Sequence, residues 1–186
     1  MKKKTRQRRI IARLAISADG YIARADGSVD FLNERPHPKH SYGMGEFYKS
    51  IDTILWGRKT IDTLLEFQKQ GIKGARFDTK VKNYGFSRRP QPALSGVEFV
   101  TEPIRAFAAR LRATPGKDIW MMGGAGLIAS FLDEGELDVF SLEVVPVMIG
   151  EGIPLVAPRH RRVPLKLVST RTFEDGVVHL EYAVVK

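Results

Sequence analysis

The sequence predicts an α/β domain with a mainly parallel sheet, helices on both faces and an antiparallel C-terminal hairpin. Three observations carry this reading. Strand-then-helix patterns recur three times before a run of strands. Two of the strands run straight into glycine turns that open helices: Trp56 into Gly57, and Met122 into Gly123-Gly124. Residues 165–173 and 177–185 flank Glu174-Asp175-Gly176, a hairpin signal.

Residues 10–17 (IIARLAIS) are the first strand. Residues 18–38 carry Asp19-Gly20 and Asp26-Gly27 and are expected as a long surface loop; a loop of that length inside a compact domain usually serves function. Residues 42–50 suit a short helix. Residues 53–56 (TILW) are a buried strand, after which Ile61, Leu64 and Leu65 stand at helical spacing. Residues 68–80 are polar loop, and residues 84–87 and 97–100 are short strands around the loop 88–96. Thr101 is the expected cap of a helix whose apolar stripe is Ile104, Phe107, Ala108 and Leu111. Residues 119–122 are a buried strand leading into a helix with Leu127, Ile128, Phe131 and Leu132. Residues 137–148 are a long strand, and Gly150-Glu151-Gly152-Ile153-Pro154 turns the chain toward the hairpin. Trp56 and Trp120 are assigned to the core and His179 to a structural role on the last strand.

The chain has 186 residues, a net charge of +9 and no cysteine. One domain spanning residues 10–186 is expected, and disulfides, cysteine-ligated metal sites and a thiol nucleophile are excluded. Lys2, Lys3, Lys4, Arg6, Arg8 and Arg9 supply six of the positive charges, so residues 1–9 are expected to be a solvated, disordered tail rather than a specific nucleic-acid surface. Arg13 and Asp19 interrupt the apolar stretch behind Arg8-Arg9, which excludes an export signal, and no apolar run is long enough to span a membrane. A cytoplasmic protein is expected. His37 and His40 lack acidic or cysteine neighbours, so no metal site is assigned.

The glycine turns carry the clearest chemistry. Successive glycines let backbone N–H groups converge at the start of a helix, which makes an anion site suited to pyrophosphate. Gly124 to Ala129 also satisfies a loose G-x-G-x-x-A pattern, with Glu143 further on, but no third β-α unit follows to complete a Rossmann half. In Gly57-Arg58-Lys59-Thr60, Thr60 offers a hydroxyl and Arg58 a guanidinium fork to phosphate; Ser87-Arg88-Arg89 closes another strand with similar groups. All three turns lie at the C-terminal ends of strands, where open α/β sheets bind ligands.

Five segments occur in order: Ser17-Ala18-Asp19-Gly20-Tyr21-Ile22-Ala23; Gly27-Ser28-Val29-Asp30; Asp52-Thr53-Ile54-Leu55-Trp56-Gly57-Arg58-Lys59-Thr60; Gly123-Gly124-Ala125-Gly126; and Val145-Pro146-Val147-Met148-Ile149-Gly150-Glu151-Gly152-Ile153-Pro154-Leu155. Together they resemble the bacterial dihydrofolate-reductase-like family, which includes the C-terminal reductase domain of the bifunctional riboflavin deaminase-reductase. The resemblance implies a three-layer dihydrofolate-reductase-like fold and an NADPH-dependent oxidoreductase acting on a carbonyl or imine. It implies that Arg58 and the Ser87-Arg88 turn hold the 2′-phosphate, that Thr60 and the run Gly123, Gly124, Ala125, Gly126 hold the pyrophosphate, that Ala15, Gly20 and Ile22 line the nicotinamide side, and that Gly57, Lys59, Met122 and Leu127 also bind the cofactor. Asp19, on the loop beside the nicotinamide, is the candidate catalytic residue; Tyr42 and Glu46 are candidate substrate contacts.

The resemblance also marks departures. Dihydrofolate reductases carry a carboxylate four residues before a helical Phe, and Gly43 stands at that distance from Phe47. The riboflavin reductases carry Glu before the paired glycines, where Met122 stands. The expected substrate is a small pyrimidine- or pterin-like heterocycle, as in 5-amino-6-(5-phosphoribosylamino)uracil reduction. Alternatives are a dinucleotide-binding module without turnover and a weak dihydrofolate reductase. A homodimer through the C-terminal strands is the family expectation.

Overall fold

The structure is a computed structural model that describes residues 6–33 and 42–186. An eight-stranded sheet has the order β5-β4-β3-β6-β1-β7-β10-β9. Its strands are β1 (Ile10–Ser17), β3 (Ile51–Gly57), β4 (Lys82–Phe86), β5 (Glu98–Val100), β6 (Asp118–Gly123), β7 (Val139–Val145), β9 (Leu165–Thr172) and β10 (Val178–Val184). Pairings among β1, β3, β4, β5, β6 and β7 are parallel, whereas β10 runs antiparallel to both β7 and β9. The predicted α/β, three-layer architecture with its C-terminal hairpin is the one observed.

Alternation along β1 divides the molecule. Ile10, Ala12, Leu14 and Ile16 face a core shared with Phe107, Ala108 and Leu111 of α4 (Ile104–Ala113) and Ile128 and Phe131 of α5 (Ala125–Asp133). On the other side, Ile54 and Trp56 of β3 and Trp120 of β6 pack with Phe47 and Tyr48 of α2 (Met44–Ser50) and with Ile61, Leu64 and Leu65 of α3 (Arg58–Lys69). Both tryptophans are buried as expected.

Several local expectations need correction. The long loop after β1 contains β2 (Tyr21–Ala23) and a short helix, α1 (Asp30–Asn33). β2 pairs antiparallel with β8 (Ile153–Pro154), within the segment expected to be only a turn. Gly152 lets these backbones meet, since a Cβ there would lie 2.3 Å from the Ala23 carbonyl oxygen. The cap of α4 is Pro103, not Thr101. β7 stops at Val145, before Pro146, which has no N–H to extend a ladder. His37 and His40 lie outside the described residues.

The expected solvated tail also fails for residues 6–9. Arg8 is buried, donating from Nε to the Lys117 carbonyl (2.7 Å) and from Nη2 to Thr53 Oγ1 (2.7 Å), and pairing with Asp52. Asp118 accepts from the Arg9 backbone N–H (3.0 Å) and pairs with the Arg9 and Arg6 guanidiniums. These charges are local ion-pair partners at the edge where β3 and β6 begin. Residues 1–5 lie outside the described residues.

Candidate active site

The parallel strands of the sheet deliver their C-terminal ends to one edge, and there the two glycine turns touch. A Cβ on Gly57 would come within 3.0 Å of the Gly123 oxygen and 3.1 Å of the Gly124 nitrogen. One on Gly124 would meet Thr60 Oγ1 at 3.4 Å and Ile22 Cδ1 at 3.8 Å. Gly57, Thr60, Ile22, Gly123 and Gly124, read separately in the sequence, thus form one contact group. The Gly123–Gly124 peptide is cis.

Gly57 and Gly124 are the N-caps of α3 and α5, and neither helix start receives a side-chain cap. The N–H groups that open each helix are among those an α-helix leaves unpaired, and both helix dipoles present their positive ends. Leu127 closes part of the first turn through its N–H to the Gly124 carbonyl (2.9 Å). Ala125 is buried under this turn, Gly126 is exposed with no atom within 4 Å of where a Cβ would stand, and Met122 packs on the Trp56 and Trp120 side.

Arg58 reaches across this edge. Its guanidinium pairs with Asp62 (2.5 Å) and donates to Gln91, whose Nε2 donates to Ser87 Oγ at 2.9 Å. The expected pairing of Arg58 with the Ser87 turn is therefore indirect, through Gln91, a residue the motif did not single out. Arg88 and Lys59 are exposed.

Asp19 is placed differently from an acid catalyst. Its carboxylate accepts from Ser17 Oγ (2.5 Å), Ile149 N (3.1 Å) and Gly150 N (2.8 Å). The Ser17 hydroxyl, together with these backbone N–H groups, holds the carboxyl below its ordinary pKa against a smaller opposing effect of burial. It is an anion that ties the loop after β1 to the loop after β7. Gly20 completes this tie, donating to Ser17 O (2.9 Å) and accepting from Leu155 N (3.0 Å).

On the α2 face, beside Ala15, the sheet carries a charged cluster that motif reading missed. Glu143 of β7 is directly opposite Ala15 of β1 and His179 of β10. Glu143 Oε1 accepts from Arg13 Nη2 (2.6 Å) and Nε (3.0 Å), and its distance to His179 Nδ1 is 3.2 Å. A carboxylate can only accept here, so Nδ1 carries a proton. His179 Nε2 lies 3.4 Å from Ser141 Oγ. Arg13 also donates to the Tyr42 carbonyl (2.5 Å), and its guanidinium carbon lies 4.8 Å from the Phe47 ring centroid. The available signal was one charge interrupting each of two apolar strands, Arg13 in IIARLAIS and Glu143 in VFSLEVV. The structural role expected for His179 is thus part of a larger polar cluster.

Tyr42 joins this region through its carbonyl, and its hydroxyl donates to Asp175 in the β9–β10 turn while its ring packs edge-on against Phe173. Glu46 lies on the exposed side of α2, and no hydrogen bond or ion pair joins it to the cluster among the described residues.

Fold and turns together define a dihydrofolate-reductase-like α/β protein. The RibD C-terminal domain model matches residues 98–179. The uncharacterized protein YyaP of Bacillus subtilis is 38% identical over 186 residues, covering 95% of each chain. A deaminase/5-amino-6-(5-phosphoribosylamino)uracil reductase from Thermotoga maritima has a similar fold, with a TM-score of 0.68 at 17% identity over 96% of this chain and 57% of its own. Dihydrofolate reductase from Enterococcus faecalis gives a TM-score of 0.62 at 16% identity over 96% of this chain and 97% of its own. Residues 98–179 thus carry the RibD C-terminal domain pattern, and the chain belongs to the same family as YyaP.

Proposed function

We propose that this protein is an NADPH-dependent reductase that directs a hydride onto a carbonyl or imine carbon of a small pyrimidine- or pterin-like heterocycle in the cytoplasm. The observation that carries the reading is the contact of two uncapped helix starts at Gly57 and Gly124, with the Thr60 hydroxyl between them. This donor set suits a pyrophosphate, and the bare Cα positions leave its approach open. When bound, the reduced nicotinamide supplies the hydride.

In this reading the N–H groups following Gly57 and Gly124 bind the pyrophosphate. Arg58, Ser87 and Arg88 take the additional ribose phosphate, with Arg58 released from Gln91 to do so. Ala15, Gly20 and Ile22 line the nicotinamide end, and Asp19 is a positioning residue that fixes their loop.

Titration with NADPH is expected to quench tryptophan fluorescence and raise the melting temperature; no response in either measurement defeats the reading. Arg58→Ala is expected to weaken NADPH roughly ten- to a hundredfold while changing NADH little, on the strength of a charge-assisted hydrogen bond. Equal loss for both would remove the 2′-phosphate role.

We also propose a homodimer through β9. The strand is exposed on both faces, and Leu167 (50% exposed) and Val168 (57% exposed) put apolar surface on a free sheet edge. Sedimentation is expected to give twice the chain mass, shifting toward monomer in a Leu167→Lys/Val168→Lys variant. A monomeric parent protein would overturn it.

A further inference from the structure

Glu143 is bound on one side only. The residue is 5% exposed, and its hydrogen bonds among the described residues, two from Arg13 and one from His179, all reach Oε1. Oε2 has no hydrogen-bond partner among the described residues. The Glu143 side chain keeps a small exposed fraction, 7%. A carboxylate oxygen deep in the fold, left without a donor but open to a small contact surface, is costly unless something supplies one.

The surroundings indicate what that donor is. Ala15, opposite Glu143, has only a methyl group and is itself half-buried, so no long side chain of β1 covers the carboxylate at that register. Met122 of β6 lies on the same face, to the other side of β1, and is apolar and half-buried, whereas Trp120 beside it is covered by Phe47 and Tyr48. A flat ring resting on this face could place an edge against Oε2, where only a hydrogen-bond donor fits. Arg13 and His179 hold Oε1 from the opposite side, so the carboxylate is oriented before anything binds.

We propose that Glu143 is the specificity-determining residue of the substrate site, and that Oε2 accepts a hydrogen bond from a ring N–H or exocyclic amino group of the heterocycle. The substrate class is then narrowed to aminopyrimidine-type rings that present N–H donors along one edge. Rings whose corresponding edge is methylated or carries only acceptors are rejected, because they leave Oε2 desolvated and unpaired. This inference rests on the reductase reading for its location but on Glu143 alone for its chemistry.

The test is binding of a diaminopyrimidine and its N,N-dimethylated analogue to the full chain, followed by calorimetry with and without NADPH. The unsubstituted ring is expected to bind roughly ten- to a hundredfold tighter, the equivalent of one hydrogen bond to a charged group. In Glu143→Gln, an amide Nε2–H replaces Oε2 and opposes the ring donor, so the preference should collapse to within about twofold. A cooperative melt would establish that the variant is folded. Equal binding of both rings by the parent protein overturns the proposal whatever the variant does, and so does an undiminished preference in a folded variant. NADPH binding without ring discrimination overturns this inference and leaves the reductase reading standing. Ring discrimination without NADPH binding does the reverse.

Discussion

Gly57→Ala is expected to reduce NADPH affinity at least roughly tenfold and to lower stability by about 1–3 kcal/mol, the usual range for overpacking a tight contact. The backbone at Gly57 is extended (φ −75°, ψ 150°), a conformation any residue adopts, so the effect would come from space alone. The added methyl would press on the Gly123 oxygen at 3.0 Å and the Gly124 nitrogen at 3.1 Å. Both are main-chain atoms at the start of α5 and cannot yield by changing rotamer. At about 2–4 °C per kcal/mol for a chain of this size, the shift is readily seen in a thermal melt. Gly126→Ala is the control for stability: no atom lies within 4 Å of its would-be Cβ, and alanine favours a helix by up to about 1 kcal/mol. Wild-type stability and cofactor affinity in Gly57→Ala would refute the close approach of the two turns.

The second large effect is expected from Arg13→Met. Arg13 and Glu143 have side chains only 6% and 7% exposed, and their closest approach is 2.6 Å. Removing one partner leaves the other charge buried, which typically costs about 3–5 kcal/mol. Arg13 also holds the Tyr42 and Gly43 carbonyls, so the start of α2 should loosen as well. In Arg13→Met/Glu143→Leu both charges are gone, and most of the lost stability should return. Denaturant melts of the parent, both single variants and the double variant would measure the coupling. Additive losses would show that the two side chains do not act as a pair.

The parts legible from sequence were those governed by local chemistry. Glu174-Asp175-Gly176 marked the hairpin, and Gly57 and Gly123-Gly124 marked the helix starts, because turn conformation and backbone access belong to the residues themselves. The β2–β8 ribbon was not visible: three residues and two residues are too short to show alternation. Arg8 and Arg9 were read as solvent-facing because their acids, Asp52 and Asp118, lie 44 and 109 residues away. The same distance hid the charged cluster around Glu143. Arg13 and Glu143 are 130 residues apart, and only the register of β1 on β7 brings them together. For Asp19, position on the loop was anticipated, but its commitment to Ile149 and Gly150 required the opposing loop to be seen.

The strand order has a consequence for synthesis. β1 emerges before both of its neighbours in the finished sheet, β6 and β7, with β3, β4 and β5 made in between. During translation, the apolar residues of β1 therefore wait without either partner strand, while β3 and β4 can pair earlier. Such delayed, long-range closure slows folding and prolongs the time in which an unpaired strand is open to misassembly. Arg13, a charge in the middle of that waiting strand, would interrupt its hydrophobic run until Glu143 arrives, acting as a gatekeeper during biogenesis before it becomes half of a buried pair.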